Sequence, residues 1–514
     1  MPDAAMAASD LEAGGRPEQQ HQHQHHDHDH DREQQQQRQD TLDKDDAANA
    51  VSFSGPSDPL HPRNWPRARK WKTTVAVSLF VFVSPVSSAM IAPALADVAR
   101  DLRLRGNVET YLAMAIFVLA YAVGPVVFGP LSEMYGRVRV LQLTNVWYLA
   151  WNLGCGLARG KAELFAFRFL AGIGGSAPLA VGGGAVSDMW RPEERGKAMG
   201  LYTMGPMLGP VVGPIAGGFI AQYSTWRWVF YATSIAAALV QVVGLVWLSE
   251  SHPPTVLRRH LRSLVRDTGN TNLYVDDAAA GTTTLGAALW HAAQRPVRMF
   301  ATQPIVACVA VYMAYLFGTL YLMFATFPTI WTTVYRESPG IGGLNYLSIA
   351  LGSFVGIFLQ VKLVDRIYRN LKARETGGVG RPEFRLPTMA AGSVLLTVGL
   401  FWYGWSIGRA HWIMPNIGAL LVSTGVICCL QSMQMYVVDC YQTYAASALA
   451  ACAVLRSLAG FAFPLFAPYM YDALGYGWGT SILAFVSIAL GWVAPALFWL
   501  YGPRLRAASK YASG

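Results

Sequence analysis

Two arginines occur inside long apolar segments of this 514-residue chain, Arg168 and Arg456. A charged side chain at the centre of a membrane-spanning helix costs about 2.5–3.5 kcal/mol on insertion scales. Each arginine is therefore expected to face a water-filled cavity or to bond to other groups of the protein. Arg168 lies near one end of its segment, so reaching the membrane surface is its alternative. For Arg456, contact with an anionic group and locking of its helix to a neighbour both remain open.

Carboxylates are missing from the middle of every long apolar segment. A side chain that carries protons across a membrane usually needs access to both sides. Asp188 and Asp439 lie near segment ends and are the acidic candidates for proton coupling, beside Arg168 and Arg456. The residues alone do not outline a complete proton path.

One segment combines glycine and proline at regular spacing, in the sequence GPMLGPVVGPIAGG. Glycines four residues apart line one helix face, where a second helix can approach closely. Prolines remove backbone donors and allow a helix to bend. The pattern predicts a helix that packs tightly and flexes, and a generic packing face is the alternative. Its residues are Gly205, Pro206, Gly209, Pro210, Gly213, Pro214, Gly217 and Gly218.

Amides and tyrosines interrupt several apolar segments. Such groups must form hydrogen bonds within the protein or line a water-filled pathway. Tyrosine rings can bind flat apolar compounds and cations. Ordinary packing between helices is the alternative for each of them. The candidates for a substrate cavity are Asn145, Tyr202, Tyr315, Asn345, Gln431 and Gln434.

The composition indicates a membrane protein. The chain is 53% hydrophobic and only 14% charged, whereas soluble domains carry roughly 25% charged residues. The formal charge of +9 is attributed to basic loops on one side of a membrane, and nucleic acid is not an expected partner. The six cysteines lie in or beside apolar runs without a CxxC pair, so neither disulfides nor a metal site are predicted.

Motifs for ATP binding and for hydrolysis are absent. The sequence contains no G-x-x-x-x-G-K-[ST], no H-E-x-x-H and no G-x-S-x-G. It therefore predicts no enzyme activity and no cofactor.

Twelve apolar stretches are long enough to cross a hydrocarbon core about 30 Å thick. Six precede a long polar segment and six follow it. The predicted spans are 73–95, 108–131, 139–159, 163–187, 198–221, 227–248, 304–327, 343–364, 386–407, 412–437, 446–471 and 477–501.

The spans divide the chain into five parts. The first part contains HQHQHHDHDHDREQQQQRQD, which is expected to be a solvated tail, with weak metal binding as the alternative. In the polar segment, 285–300 is expected to be either an amphipathic helix or a plain linker. Lys and Arg concentrate on the side that holds both termini, which predicts that this side is cytoplasmic. The parts are a disordered cytoplasmic tail 1–64, a six-helix bundle 65–250, a cytoplasmic central loop 251–302, a six-helix bundle 303–502 and a cytoplasmic tail 503–514.

The loop after the second span reads GPLSEMYGRVRV. A tight turn there requires glycine at Gly129 and Gly136, and Glu133 and Arg137 are placed to pair with each other or with helix ends. After the eighth span, KLVDRIYRN is a fainter repeat in which Asp365 takes the place of Glu133. We interpret these loops as cytoplasmic gates.

The first of these loops resembles the signature G-x-x-x-D-R-x-G-R of the major facilitator superfamily, although Glu133 and Met134 stand where Asp and Arg are usual. The segment around Arg168 resembles the fourth-helix motif of that family, in which the arginine is tied to proton coupling. The glycine–proline segment resembles the motif G-x-x-x-G-P-x-x-G-G of drug–proton antiporters, described mainly in exporters. The sequences NWP, WRWVFY and YAASALAACAVLRSLAGFAFPLF resemble the fungal drug-exporter branch.

The resemblance implies an all-α integral membrane protein with twelve transmembrane helices in two six-helix bundles. It implies export of small lipophilic or cationic compounds, such as drugs, toxins or a secondary metabolite, through the plasma membrane. Inward proton flow would drive export, and the expected partners are the substrate, protons and the lipid bilayer, with the chain acting as a monomer. Proton-coupled uptake by the same fold and a non-transporting membrane sensor are the alternatives.

Overall fold

The computed structural model describes residues 49–55, 57–191, 193–275, 285–374, 381–509 and 511. The described residues form helices and turns, without a strand beyond the isolated bridge between Ala50 and Tyr274. Residues 49–55 and 257–275 belong to a separate small unit. The histidine-rich stretch of the tail lies outside the described residues.

Ten helical stretches in the described part of the chain are long and apolar enough to cross a bilayer. The longest, Ala445–Ala507, has 63 residues, which would reach about 95 Å as one straight helix, but it breaks at Gly475 with φ 70° and ψ 169°. It therefore crosses twice. The helix Arg137–Leu157 has 21 residues and crosses as well, although Asn145 and Asn152 lower its hydropathy. The predicted count of twelve is confirmed.

Each half of the chain contributes six spanning helices. In the first half these are α1 Arg67–Met90, α2 Gly106–Tyr135, α3 Arg137–Leu157, α4 Lys161–Met189, α5 Arg195–Tyr223 and α6 Arg227–Trp247. In the second half they are α7 Pro304–Val334, α8 Pro339–Arg374, α9 Pro382–Ser406, α10 Ile413–Cys440, α11 445–474 and α12 476–507. We call the end of the bundle where α1 and α7 begin the tail end, and the opposite end the far end.

Helix α5 packs against α1 through its glycine face. A Cβ atom added to Gly209 would lie 2.6 Å from Cβ of Pro85, and one added to Gly213 would lie 2.6 Å from the carbonyl oxygen of Val86. A side chain at either position would therefore force the two backbones apart. Pro206, Pro210 and Pro214 lie within this same continuous helix.

The polar segment between the halves contains two helices. Pro253–Thr268 follows α6, and Leu285–Thr302 precedes α7. The second corresponds to the stretch predicted as either an amphipathic helix or a linker. It packs on the tail-end parts of α2 and α11 and buries Met299, while Trp290 and Val297 on its other side are exposed.

Candidate functional site

The two halves touch at the far end. The carboxamide oxygen of Gln222, at the end of α5, accepts a hydrogen bond of 2.9 Å from the backbone N–H of Gly340, at the start of α8. One turn earlier, Gly218 lies directly against the carbonyl oxygen of Pro339. Glycine is required at 218 because a Cβ there would collide with this carbonyl. The far end is therefore closed by a backbone-to-backbone approach between α5 and α8.

Further contacts continue this closure toward the centre. The hydroxyl groups of Ser88 on α1 and Tyr321 on α7 lie 3.3 Å apart. Nearer the far end, the hydroxyls of Tyr111 and Thr329 lie 3.4 Å apart. These contacts join the first half to the second through neutral hydroxyl groups. Their separation would leave no charged side chain without a partner.

Arg456 lies on α11, on the tail side of this contact layer. One helical turn further along α11, a Cβ atom on Gly460 would lie 3.0 Å from the ring of Phe317 and 3.1 Å from Val118 of the first half. The face of α11 that carries Gly460 and Arg456 is therefore turned toward the interior between the halves. The guanidinium carbon of Arg456 is 4.9 Å from the centre of the Phe317 ring. Both side chains are only partly buried, and we interpret the space beside them as an internal cavity.

Arg168 has a different environment. Its side chain is fully buried. Nε donates to the carbonyl oxygen of Ala113 at 3.1 Å, and Nη1 donates to that of Ser87 at 3.1 Å. Nη2 donates to the carbonyls of Ser88 and Met114 at 3.4 and 3.5 Å. The arginine thus joins α4 to α1 and α2, flanked by two phenylalanine rings, and does not reach the membrane surface. Its role in proton coupling stays a prediction.

A polar cluster forms at the tail end of the first half, where α3 begins. Gly136 has a φ of 95°, and a Cβ atom there would lie 2.5 Å from a carboxylate oxygen of Glu250. That carboxylate accepts the backbone N–H of Arg137 at 2.9 Å, so it stabilises the positive end of α3. The Arg137 side chain donates to Asp188 at 3.2 Å and to the hydroxyl of Ser132 at 2.5 Å.

Two residues of the predicted gating loop lie outside this cluster. Glu133 is exposed and forms no ion pair in the described part of the chain, so the pairing of Glu133 with Arg137 was a wrong expectation. Asp188 takes that place because α4 brings it to Arg137 from 51 positions away in the sequence. Gly129 has open space around the position of a Cβ and accepts the Ser132 hydroxyl at 2.7 Å.

The second half repeats the arrangement. Arg385, in the first turn of α9, donates to Asp439, near the end of α10, at 3.1 Å. Arg506 makes a bidentate pair with the buried carboxylate of Glu383, at 3.1 and 3.0 Å. These ion pairs join the same helix positions as in the first half, as expected of a duplicated bundle. Asp365 lies on α8, and its side chain is outside the described part of the structure.

Three of the predicted cavity residues bond to neighbouring helices. Asn145 on α3 donates to Gln241 on α6 at 2.8 Å. The hydroxyl of Tyr315 donates to a backbone carbonyl of α12 at 2.6 Å. Asn345, at the far end, donates to Glu337 in the preceding loop at 2.7 Å and accepts from Asn416 on α10 at 2.7 Å. In this conformation all three contribute to packing, and their contact with substrate stays a prediction.

The other three cavity candidates are Tyr202, Gln431 and Gln434. The hydroxyl of Tyr202 donates to the carbonyl of Leu179 at 3.2 Å, and Tyr202 is an electrostatic neighbour of Arg456. Gln431 and Gln434 are partly exposed on one side of α10 and form no hydrogen bond with the described residues. Tyr202 thus lies near Arg456, and the contact of all three residues with substrate stays a prediction.

Sequence reasoning missed Gln222 and Glu337 and gave Glu250 no role. Gln222 and Glu250 act through partners from distant segments, which no local pattern reveals. Glu337 follows the end of α7, where burial raises the pKa of its carboxyl. The position of this carboxylate just beyond a spanning helix was the sequence signal that could have identified it.

Comparison with known proteins gives a consistent result. The sequence profile described as Major Facilitator Superfamily matches residues 77–464. The chain is 68% identical over 472 residues to Efflux pump vrtL of Penicillium aethiopicum, covering 92% of this chain and 93% of that protein. It is 38% identical to Efflux pump radE of Floropilus chiversii, covering 90% and 86%. The xylose transporter XylE from E. coli, in a partially occluded inward open conformation, matches with a TM-score of 0.63 at 15% identity, covering 84% of this chain and 98% of XylE.

Proposed function

The chain belongs to the Major Facilitator Superfamily, and on that premise we propose that it exports small organic compounds across the plasma membrane by proton antiport. It is a transporter and not an enzyme. Export is supported by its similarity over most of its length to proteins named as fungal efflux pumps. Drugs, toxins and secondary metabolites are the proposed classes of substrate.

Alternating access is supported chiefly by the far-end contact between α5 and α8. This contact consists of two interactions. The carbonyl oxygen of Pro339 packs against Gly218, and the side chain of Gln222 accepts a hydrogen bond from the backbone of Gly340. Glycine packing and a single neutral hydrogen bond are weak enough to break during a transport cycle. The interior around Arg456 lies on the tail side of this closure. Opening the far end and closing the tail end would expose the cavity to the other side.

Proton coupling is the second part of the proposal. Asp188 and Asp439 each pair with one arginine at the tail end, Arg137 and Arg385 respectively. Protonation of either aspartate would weaken its pair and free the adjoining helices to move. In this scheme the tail-end clusters link the proton to the movement of the halves, while Arg168 holds α1, α2 and α4 together.

The orientation follows from the basic loops. We propose that the tail end is cytoplasmic, with both termini on that side, because Lys and Arg concentrate there. A monomer is sufficient for this mechanism, since the cavity lies between two halves of one chain.

A flux assay in proteoliposomes with one protein orientation tests the proposal. A fluorescent aromatic compound is added outside vesicles in which the tail end faces outward, and the interior is made acidic. We expect the compound to accumulate inside, an uncoupler to abolish accumulation, and Asp188→Asn or Asp439→Asn to reduce it. Accumulation that ignored the pH gradient would refute proton antiport. Accumulation only under the opposite gradient would favour proton-coupled uptake, and the absence of any flux would favour a sensor.

A further inference from the structure

Arg456 is a cation in the interior without a charged or hydrogen-bonding partner among the described residues. Its Nε atom is buried and has no hydrogen-bond partner. In the described part of the chain, its guanidinium group forms no ion pair and no hydrogen bond. Its charge lies instead over the ring of Phe317, whose centre is 4.9 Å away.

The described surroundings of Arg456 are mainly aromatic. Tyr202 of the first half and Tyr321 of the second are its electrostatic neighbours, together with Cys452. The rings of Phe317 and Tyr321 lie with their centres 4.8 Å apart. Hence both halves contribute flat rings around one positive charge, and no carboxylate among the described residues balances it.

Arg168 shows how this fold supplies acceptors to an arginine inside the bundle. That side chain has four backbone carbonyls as acceptors and is fully buried. Arg456 has no such acceptors among the described residues, although its Nε atom is buried. A buried or half-buried cation without a counter-charge has a high desolvation cost. Binding of an anion from outside the chain would therefore be stabilised at this position.

We infer that the cavity binds organic anions, with Arg456 as the receptor for a carboxylate or an ionised phenol or enol on a flat aromatic body. The planar guanidinium binds a carboxylate through two parallel N–H donors. The rings of Phe317, Tyr321 and Tyr202 provide the apolar surface for the rest of the molecule. The same positive charge repels cationic compounds, so this site departs from the cationic substrates expected from the sequence.

This inference rests on the proposed function only in treating the interior as the path of the substrate. It is tested by equilibrium binding, which depends neither on the direction of transport nor on protons. The full-length chain in lipid nanodiscs is dialysed against aromatic probes of three charges on the same ring, with empty nanodiscs as the blank. The probes are anthracene carboxylate, its primary amide and anthracenylmethyl ammonium, and the same three derivatives of naphthalene.

We expect the wild-type chain to bind the carboxylates at least about tenfold more tightly than the amides, and the ammonium compounds most weakly, since a charged hydrogen-bonding pair typically contributes that much. Arg456→Gln should remove this preference and leave amide binding nearly unchanged. Arg456→Lys should retain part of it. Arg409→Gln is the matched control, because Arg409 also lies over an aromatic ring, 4.7 Å from Trp405, but is exposed.

Three outcomes would overturn the inference. The first is equal binding of carboxylate, amide and ammonium probes to the wild-type chain, which needs no variant to fold. The second is the absence of carboxylate binding below millimolar concentration. The third is an equal loss of all probes in Arg456→Gln with an unchanged thermal unfolding midpoint. Export could fail in the flux assay while the charge preference stands, so the two proposals are refuted by different results.

Discussion

Replacing Gly218 by alanine should shift the protein away from the state in which the far end is closed. A Cβ at this position would collide with the carbonyl oxygen of Pro339, which is a backbone atom and cannot rotate away as a side chain can. Inserting a methyl group into such a packed contact costs about 1–3 kcal/mol. Because this contact joins the two halves, the cost applies only to the state with a closed far end. The ratio of closed to open molecules should therefore fall about 5- to 150-fold.

The assay is a distance measurement between spin labels on the two halves. Exposed Arg159 and Arg409 lie in far-end loops of the first and second halves and can carry the labels as cysteines. The background is Cys308→Ser, since Cys308 is the exposed cysteine among the six and the others are buried. We expect a short distance in the wild type and a dominant longer distance in Gly218→Ala.

Two glycines on the same helix provide controls. Gly200→Ala meets open space and should leave the distances unchanged. Gly213→Ala collides with the carbonyl of Val86 within the first half, so it should lower the thermal unfolding midpoint without favouring the open far end. If Gly218→Ala kept the wild-type distance distribution, or if Gly200→Ala shifted it equally, the reasoning that this contact gates the far end would be wrong.

Three further predictions concern single polar side chains. Arg168→Gln should destabilise the protein, because it leaves several carbonyls of α1 and α2 without donors and each charged hydrogen bond contributes about 1.5–3 kcal/mol. Arg168→Lys should not restore stability, because one ammonium group cannot reach both helices. The yield of monodisperse protein measures this loss, and a normal yield would contradict a structural role. Glu250→Ala should destabilise the start of α3 by about 0.5–2 kcal/mol, which a lower thermal unfolding midpoint would show. Glu250→Gln keeps an acceptor and should cost less stability. Equal losses of stability in the two variants would argue against capping of α3 by Glu250. Burial raises the pKa of the Glu337 carboxyl, so closing the far end favours its protonated form, and closure should weaken as pH rises above about 4 through the raised pKa. Glu337→Gln should remove this pH dependence of the distance between the spin labels. An unchanged pH profile in the variant would assign the dependence to another group.

The sequence alone determined the membrane class, the number of helices and their order. These properties depend on the length of apolar runs and on basic loops, which the bilayer selects directly and which need no knowledge of neighbours. It also indicated a glycine face on α5, because a spacing of four residues fixes a common helix side.

Only the tertiary structure decided the partner of each polar side chain. Arg168 and Arg456 look alike in the sequence, since each is an arginine in an apolar run. The fold surrounds the first with carbonyl oxygens from α1 and α2 and places the second beside Phe317, where no described residue accepts a hydrogen bond from it. Likewise, the acid that meets Arg137 is Asp188 and not nearby Glu133. Such pairs depend on which helix faces approach one another, and that is fixed by packing across the whole bundle and not by local spacing.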